Sequence, residues 1–247
     1  MNWKKRKMML AWLFWFALIL VGLVVSYFQG YFGDVIRGDT TGLSIVIGAV
    51  FLLGLIWNFR NALRIQKELN SAFVIEASCE EADKFSKNPL NQVYSCVLYD
   101  DQSECAEHTR NLMAINARAG YVPDQGNLVE SIHARLELTE KYTLYICEAL
   151  TALGLFGTLI GFMMMVQGGL GNMLNSAGNV ESIVQSIKQV LGGIGTALYT
   201  TLVGLACALP LLLLHLIVKN GTSELVIKIT EIGERYVLPN LPKNMEK

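Results

Sequence analysis

Four long runs of uncharged, mostly apolar residues recur along the chain. They cover residues 10–28, 43–59, 149–166 and 190–218. The first three have close to the roughly 20 residues that a helix needs to cross about 30 Å of hydrocarbon, and the fourth is longer. The pattern predicts four transmembrane helices.

The basic N-terminus also allows the first run to be a signal peptide. It contains Lys4, Lys5, Arg6 and Lys7 directly before the apolar residues. However, the run is longer than the apolar core of a typical signal peptide, and no small-residue cleavage site follows it. We therefore interpret residues 10–28 as a retained membrane helix.

The segments between the runs have helical patterns of their own. Residues 60–145 mix charged and apolar side chains at spacings of three and four, with breaks at Asn88-Pro89 and at Gly120, which predicts a helical insert. No Gly or Pro lies between residues 127 and 153, so we expect one helix to continue from the insert into the third span. Residues 180–191 have one apolar face and predict an amphipathic helix before the fourth span.

Lys and Arg mark one end of each run. They precede the first and third runs and follow the second and fourth, as at Arg60, Lys141 and Lys219. Because cytoplasmic loops are enriched in basic residues, all these ends belong on the cytoplasmic side of a protein with an even number of spans. We predict cytoplasmic termini and four regions, listed in order: a transmembrane hairpin (1–59), a cytoplasmic insert (60–145), a second transmembrane pair (146–218) and a cytoplasmic tail (219–247).

Composition supports an all-α integral membrane protein. The chain is 52% hydrophobic and 17% charged, with a mean hydropathy of +0.38, so much of it belongs in lipid. The net charge of -1 gives no indication of a nucleic-acid partner. The five cysteines form no C-x-x-C pair and the three histidines have no metal-site spacing, so we expect neither a disulfide framework nor a metal or cofactor.

Small and hydroxyl-bearing residues form a stripe on the third and the fourth span. The stripe of the third span consists of Gly154, Thr158 and Gly161, with Gly157 beside it. The stripe of the fourth consists of Ala197, Thr201, Gly204 and Ala208, with Gly193, Thr196 and Thr200 close by. Such residues let helix backbones approach closely in lipid. Two interpretations stay open: packing faces whose threonines bond to their own helix, or a hydrated path for a cation.

Charged side chains are absent from all four apolar runs. Coupled ion transport generally requires a titratable or charged group in the membrane, so another chain would have to supply it. Glu148, next to the third span, is a candidate for the entrance of an ion path. A solvated boundary carboxylate is the alternative.

Two segments resemble the MotA/TolQ/ExbB family. Residues 154–162, GLFGTLIGF, are similar to its G-L-x-G-T-x-x-G-h segment, and residues 195–205, GTALYTTLVGL, with Pro210, resemble its A-L-x-x-T-x-x-G-L...P segment. The four-span layout is closer to the MotA branch, whereas the motifs are closer to TolQ and ExbB, so the branch stays open. Thr196 departs from the Glu that many TolQ- and ExbB-like members carry.

The resemblance implies a subunit of an ion-driven motor in the bacterial inner membrane. Five copies would surround a dimer of a single-span MotB/TolR/ExbD-like partner, whose membrane Asp binds the transported H⁺ or Na⁺. Thr158 and Thr201 match the family's pathway threonines, and the additional hydroxyl of Thr200 resembles sodium-driven members. Small residues and one proline are expected to pack the pathway helices: Gly154, Gly157, Gly161, Ala197, Gly204 and Pro210.

Two alternatives to a motor subunit belong to other classes. One is a membrane scaffold whose insert recruits cytoplasmic proteins, with the small residues serving packing alone. The other is an enzyme in the insert, suggested by acidic residues around Glu104 near Cys105 and His108. A solvated helix start explains that cluster, and no nucleophile elbow or phosphate loop occurs, so we expect no enzymatic activity.

Overall fold

The computed structural model describes residues 7–85, 103–171 and 180–241. Within these ranges the chain is helical and has no strand. The α-helices are α1 (Lys7–Phe28), α2 (Tyr31–Gly38), α3 (Leu43–Phe85), α4 (Glu104–Ala119), α5 (Gly126–Met164) and α6 (Val180–Ile232). A π-helix, Met165–Leu170, follows α5, and a π-helix and a 3₁₀ turn, Gly233–Val237 and Leu238–Asn240, follow α6. The break predicted at Asn88-Pro89 lies outside the described residues.

Four of these helices are long and apolar enough to cross a membrane. They are α1, α3, α5 and α6, the last two taken with the helical turns that follow them. The predicted fold class, an all-α multi-pass membrane protein, is confirmed.

The helices α3, α5 and α6 are much longer than a bilayer requires. They have 43, 39 and 53 residues, compared with about 20 for a span. α5 runs without a break from Gly126 to Met164. The absence of Gly and Pro between residues 127 and 153 predicted this continuous helix. Residues 180–191 form the first turns of α6 instead of a separate helix, because α6 continues through Gly192 and Gly193 into the span.

The segment between α1 and α3 contains a helix that the sequence pattern did not predict. α2 begins after Gly30, which has a φ of 81°, and ends at Gly38, with Asp39 as its C-cap. The carboxylate of Asp39 accepts hydrogen bonds from the Thr41 and Ser44 amides at 3.0 and 2.6 Å. Burial would raise the pKa of Asp39, but the hydrogen bond from the Thr41 hydroxyl and those from the Ser44 and Thr41 amides lower it below its ordinary value. Asp39 thus fixes the start of α3.

The chain divides into two compact units. The insert unit comprises Met1–Trp12, Arg60–Glu140 and Leu216–Lys247, and the span unit comprises Leu13–Phe59 and Lys141–His215. In the insert unit, the buried carboxylate of Glu104 on α4 forms ion pairs with Arg64 of α3, at 3.7 Å, and with Arg135 of α5. Its amide donates to Glu68 of α3 at 2.9 Å. Glu104 is therefore a structural anchor of α4 and not a solvated helix start.

His108 is buried in the same unit. Its side chain is 1% exposed, and its Nε2 lies 3.2 Å from Oε1 of Gln125. The Gln125 amide group in turn donates to the Thr230 carbonyl at 3.2 Å. Within the described residues, the Nδ1 atom of His108 has no hydrogen-bond partner. Burial lowers the pKa of His108, and the Gln125 bond opposes this only in part.

We expect the insert unit to lose stability when the pH falls below about 6.5, the ordinary pKa of histidine. Unfolded His108 binds a proton more readily than folded His108, so acidification favours unfolding, by at most about 1.4 kcal/mol per pH unit. Thermal unfolding of the full chain at neutral and mildly acidic pH measures the loss. His108→Gln should reduce it, and an equal loss in both proteins would contradict this role.

Candidate functional site: the seam between α5 and α6

α5 and α6 pack against each other in antiparallel directions in the span unit, along a seam of small residues. A Cβ atom added to Gly161 would lie 2.5 Å from the Ala197 amide nitrogen, and one added to Gly204 would lie 2.9 Å from the Cα of Gly154. These neighbours are backbone atoms that cannot rotate away. The two helices therefore approach to a distance that only glycine permits at these positions.

The structure brings the predicted packing residues together, and Gly193, predicted to lie close to the stripe, packs with them. A Cβ atom on Gly193 would lie 2.7 Å from the Gly161 carbonyl oxygen, so Gly193 belongs to the seam as well. Gly157 accommodates the side chain of Thr200, whose atoms would lie 2.4 to 2.8 Å from an added Cβ. Pro210 interrupts the hydrogen bonding inside α6, because proline has no amide hydrogen to donate to the carbonyl one turn earlier.

The hydroxyls of Thr158 and Thr201 meet at the edge of the seam. Their Oγ1 atoms form a hydrogen bond with each other. Thr158 also lies 3.2 Å from the Gly154 carbonyl oxygen, and Thr201 lies 3.3 Å from the same oxygen and 3.0 Å from that of Ala197. Both threonines are partly exposed in the single chain. Each hydroxyl has one proton and two lone pairs, so oxygen lone pairs remain available at this edge.

Thr200 has a different environment. It is fully buried, and its hydroxyl donates to the carbonyls of its own helix at Thr196 and Ala197, at 2.8 and 3.2 Å. Its side chain fills the space left by Gly157. Its predicted role in an ion path stays a prediction, and its contacts are those of a packing residue.

Thr196 attaches the loop between α2 and α3 to α6. Its Oγ1 donates to the Gly38 carbonyl at 3.2 Å and accepts from the Thr40 amide at 3.3 Å. Gly38 itself lies against the Tyr199 ring, where an added Cβ would be only 2.3 Å from a ring carbon. The hydroxyl of Thr196 is therefore used for contacts within the chain. Sequence spacing offers no signal for this contact.

Glu148 is exposed on α5 in the single chain. Its role at the entrance of an ion path stays a prediction. In the described part of the chain, no group of three or more His, Cys, Asp or Glu side chains is placed to hold a metal ion.

The fold and the seam define the class: a multi-pass α-helical membrane protein whose paired helices present hydroxyls in an uncharged surrounding. Residues 125–231 match the family model of the MotA/TolQ/ExbB proton channel family. The matched residues contain the whole seam, and the match confirms the resemblance predicted from the sequence. No curated protein and no solved structure matches the chain. The family supports a membrane function of the ion-channel type.

Proposed function

We propose that this chain is the ion-conducting subunit of a motor driven by a proton or sodium gradient across the bacterial inner membrane. Five copies would surround a dimer of a single-span partner that supplies a membrane Asp, with both termini of this chain in the cytoplasm. The observation that carries the proposal is the Thr158–Thr201 hydroxyl pair at the edge of a seam without charged residues.

The Thr158–Thr201 pair supplies oxygen atoms that can contact a transported ion, but no negative charge. Hydroxyl oxygens can replace some of the water around Na⁺ or hydrogen-bond to a carboxyl group that gains and loses a proton. They cannot compensate a full positive charge, because a charge in hydrocarbon is costly unless an opposite charge is near. A carboxylate from a partner helix packed at this edge would complete the site.

The outer surfaces of α5 and α6 support an assembly within lipid. In the single chain, Leu155 and Leu159 of α5 are each 62% exposed, and Leu198 and Leu202 of α6 are 67% and 60% exposed. Apolar surfaces of this extent contact lipid or further chains. Both are required by a pentamer in a bilayer.

Removing both hydroxyls should suppress ion flux. We expect Thr158→Val combined with Thr201→Val to lower flux roughly tenfold or more. The transported ion or the carboxyl group of the single-span partner would lose its hydroxyl contacts, and an unsatisfied polar group costs about 1–3 kcal/mol, where each 1.4 kcal/mol is tenfold. The measurement uses the chain reconstituted with a single-span, Asp-bearing partner. Thr151→Val is the matched control, because the Thr151 hydroxyl is exposed on α5 and donates to its own helix at Cys147.

The same reconstitution separates the alternatives. Replacing sodium with potassium at constant pH distinguishes a sodium-driven from a proton-driven motor. Unchanged flux in the double variant, or a functional complex containing this chain alone, would argue against the proposed site. Absence of flux in every preparation, together with stable binding of a cytoplasmic protein, would favour the scaffold.

A further inference from the structure

A carboxyl group is buried between helices of the insert unit, and no cationic side chain in the described part of the chain forms an ion pair with it. Glu140 of α5 is 5% exposed, and its carboxylate accepts a hydrogen bond from the Thr222 hydroxyl of α6. Thr222 is itself buried, at 3% exposure. Among the described residues, no Lys, Arg or His forms an ion pair with Glu140.

The charged groups around Glu140 come from each helix packed there. His133 and Glu137 lie on α5, and Lys219 lies on α6, one turn before Thr222. On α3, Arg64 lines the same small cavity as Glu140, but its guanidinium pairs with Glu104 at 3.7 Å. None of the three basic groups is in direct contact with the buried carboxyl.

Water has little room beside this carboxyl group. The adjoining cavity, which Asn61 and Thr139 also line, measures about 10 Å³, at the lower limit of what one water molecule occupies. An ionised carboxylate has about four lone-pair positions for donors, and here it receives one hydroxyl. Burial raises the pKa of Glu140, and Thr222 and Lys219 only partly oppose the increase.

We propose that Glu140 is a proton-binding site, neutral in the resting fold and ionised when the proton concentration falls on the side of the membrane predicted to be cytoplasmic. Ionisation places an uncompensated charge between α5 and α6 and weakens their contact in the insert unit. The site does not depend on the proposed ion path, because it uses residues of the insert unit alone.

Infrared difference spectroscopy of the full-length chain in lipid nanodiscs tests this proposal. As the pH is raised from neutral, the wild type should lose the carbonyl band of a protonated carboxylic acid, and Glu140→Gln should lack that band at neutral pH. Glu130→Gln, which changes an exposed carboxyl group on the same helix, should keep it. Absence of the band from the wild type at neutral pH, or its presence in Glu140→Gln at that pH, would overturn the proposal.

A second variant keeps the test valid if Glu140→Gln does not fold. Thr222→Val removes the hydroxyl that donates to Glu140, so the midpoint at which the band is lost should move to higher pH, and Thr222→Ser should restore it. If the hydrogen bond is purely structural, Thr222→Val should lower the melting temperature without moving the midpoint of the titration. An unchanged midpoint would therefore overturn the proposal that Glu140 is a proton-binding site. The Thr158→Val and Thr201→Val changes should leave this titration unaltered, which separates the proposal from the proposed function.

Discussion

Replacing Gly193 with alanine should destabilise the pairing of α5 and α6 by about 1–3 kcal/mol, the usual cost of overpacking a close contact. An added Cβ would lie 2.7 Å from both the Gly161 carbonyl oxygen and the Met165 amide nitrogen. These are backbone atoms, so relief requires separation of the two helices. Thermal or denaturant-induced unfolding of the chain in detergent, followed by circular dichroism, measures the change.

The neighbouring residue offers a matched control for this prediction. An added Cβ on Gly192 would meet nothing within 4 Å, and the same is true of Gly48 on α3. Alanine at either position should be neutral or stabilising by up to about 1 kcal/mol, because it favours the helix more than glycine does. Equal effects at Gly192 and Gly193 would show that the seam does not limit helix approach.

Replacing Thr196 with valine should release the loop between α2 and α3 and lower stability by about 1–3 kcal/mol, the cost of leaving buried polar groups unsatisfied. The hydroxyl bonds to the Gly38 carbonyl and to the Thr40 amide, and Thr196 is fully buried. Because Thr40 is exposed, water can satisfy part of what is lost, which favours the lower half of this range.

Hydrogen exchange at the Thr40 amide reports this contact directly. Exchange should be faster in Thr196→Val than in the wild type, whereas Thr196→Ser retains the hydroxyl and should exchange at close to the wild-type rate. Thr151→Val removes a hydroxyl that bonds to the Cys147 carbonyl of its own helix and should leave the Thr40 amide unaffected. Faster exchange in both valine variants would indicate a general loosening of the span unit.

Thr196 also lies close to the proposed ion path. It lies on α6 one turn before Thr200 and Thr201, and Tyr199 beside them packs on Gly38. The loop thus holds the part of α6 that carries the hydroxyl pair. Thr196→Val, which frees the loop, therefore tests both the stability of the chain and the ion flux. Thr196→Ser keeps the hydroxyl but removes the methyl group, so it separates the effect of the hydrogen bonds from that of packing.

The sequence by itself determined the elements whose cause is local. Uncharged runs predict membrane helices because lipid excludes charge and requires internally bonded backbone. The lack of Gly and Pro predicted that α5 would continue out of the third span, and Gly120, with a φ of 71°, ends α4 as expected. The motifs around Gly154 and Thr201 were sufficient to predict the family.

The tertiary structure alone decided which of these side chains meet. Thr200 and Thr201 are adjacent in the sequence, yet successive residues on a helix point in directions about 100° apart, so one is buried against Gly157 and the other meets Thr158 at the edge. Thr196 contacts a loop more than 150 residues away in the chain, and Glu140 is one of many charged residues until packing removes it from water. Burial and long-range hydrogen bonds depend on how helices pack, and spacing along one helix does not specify its neighbour.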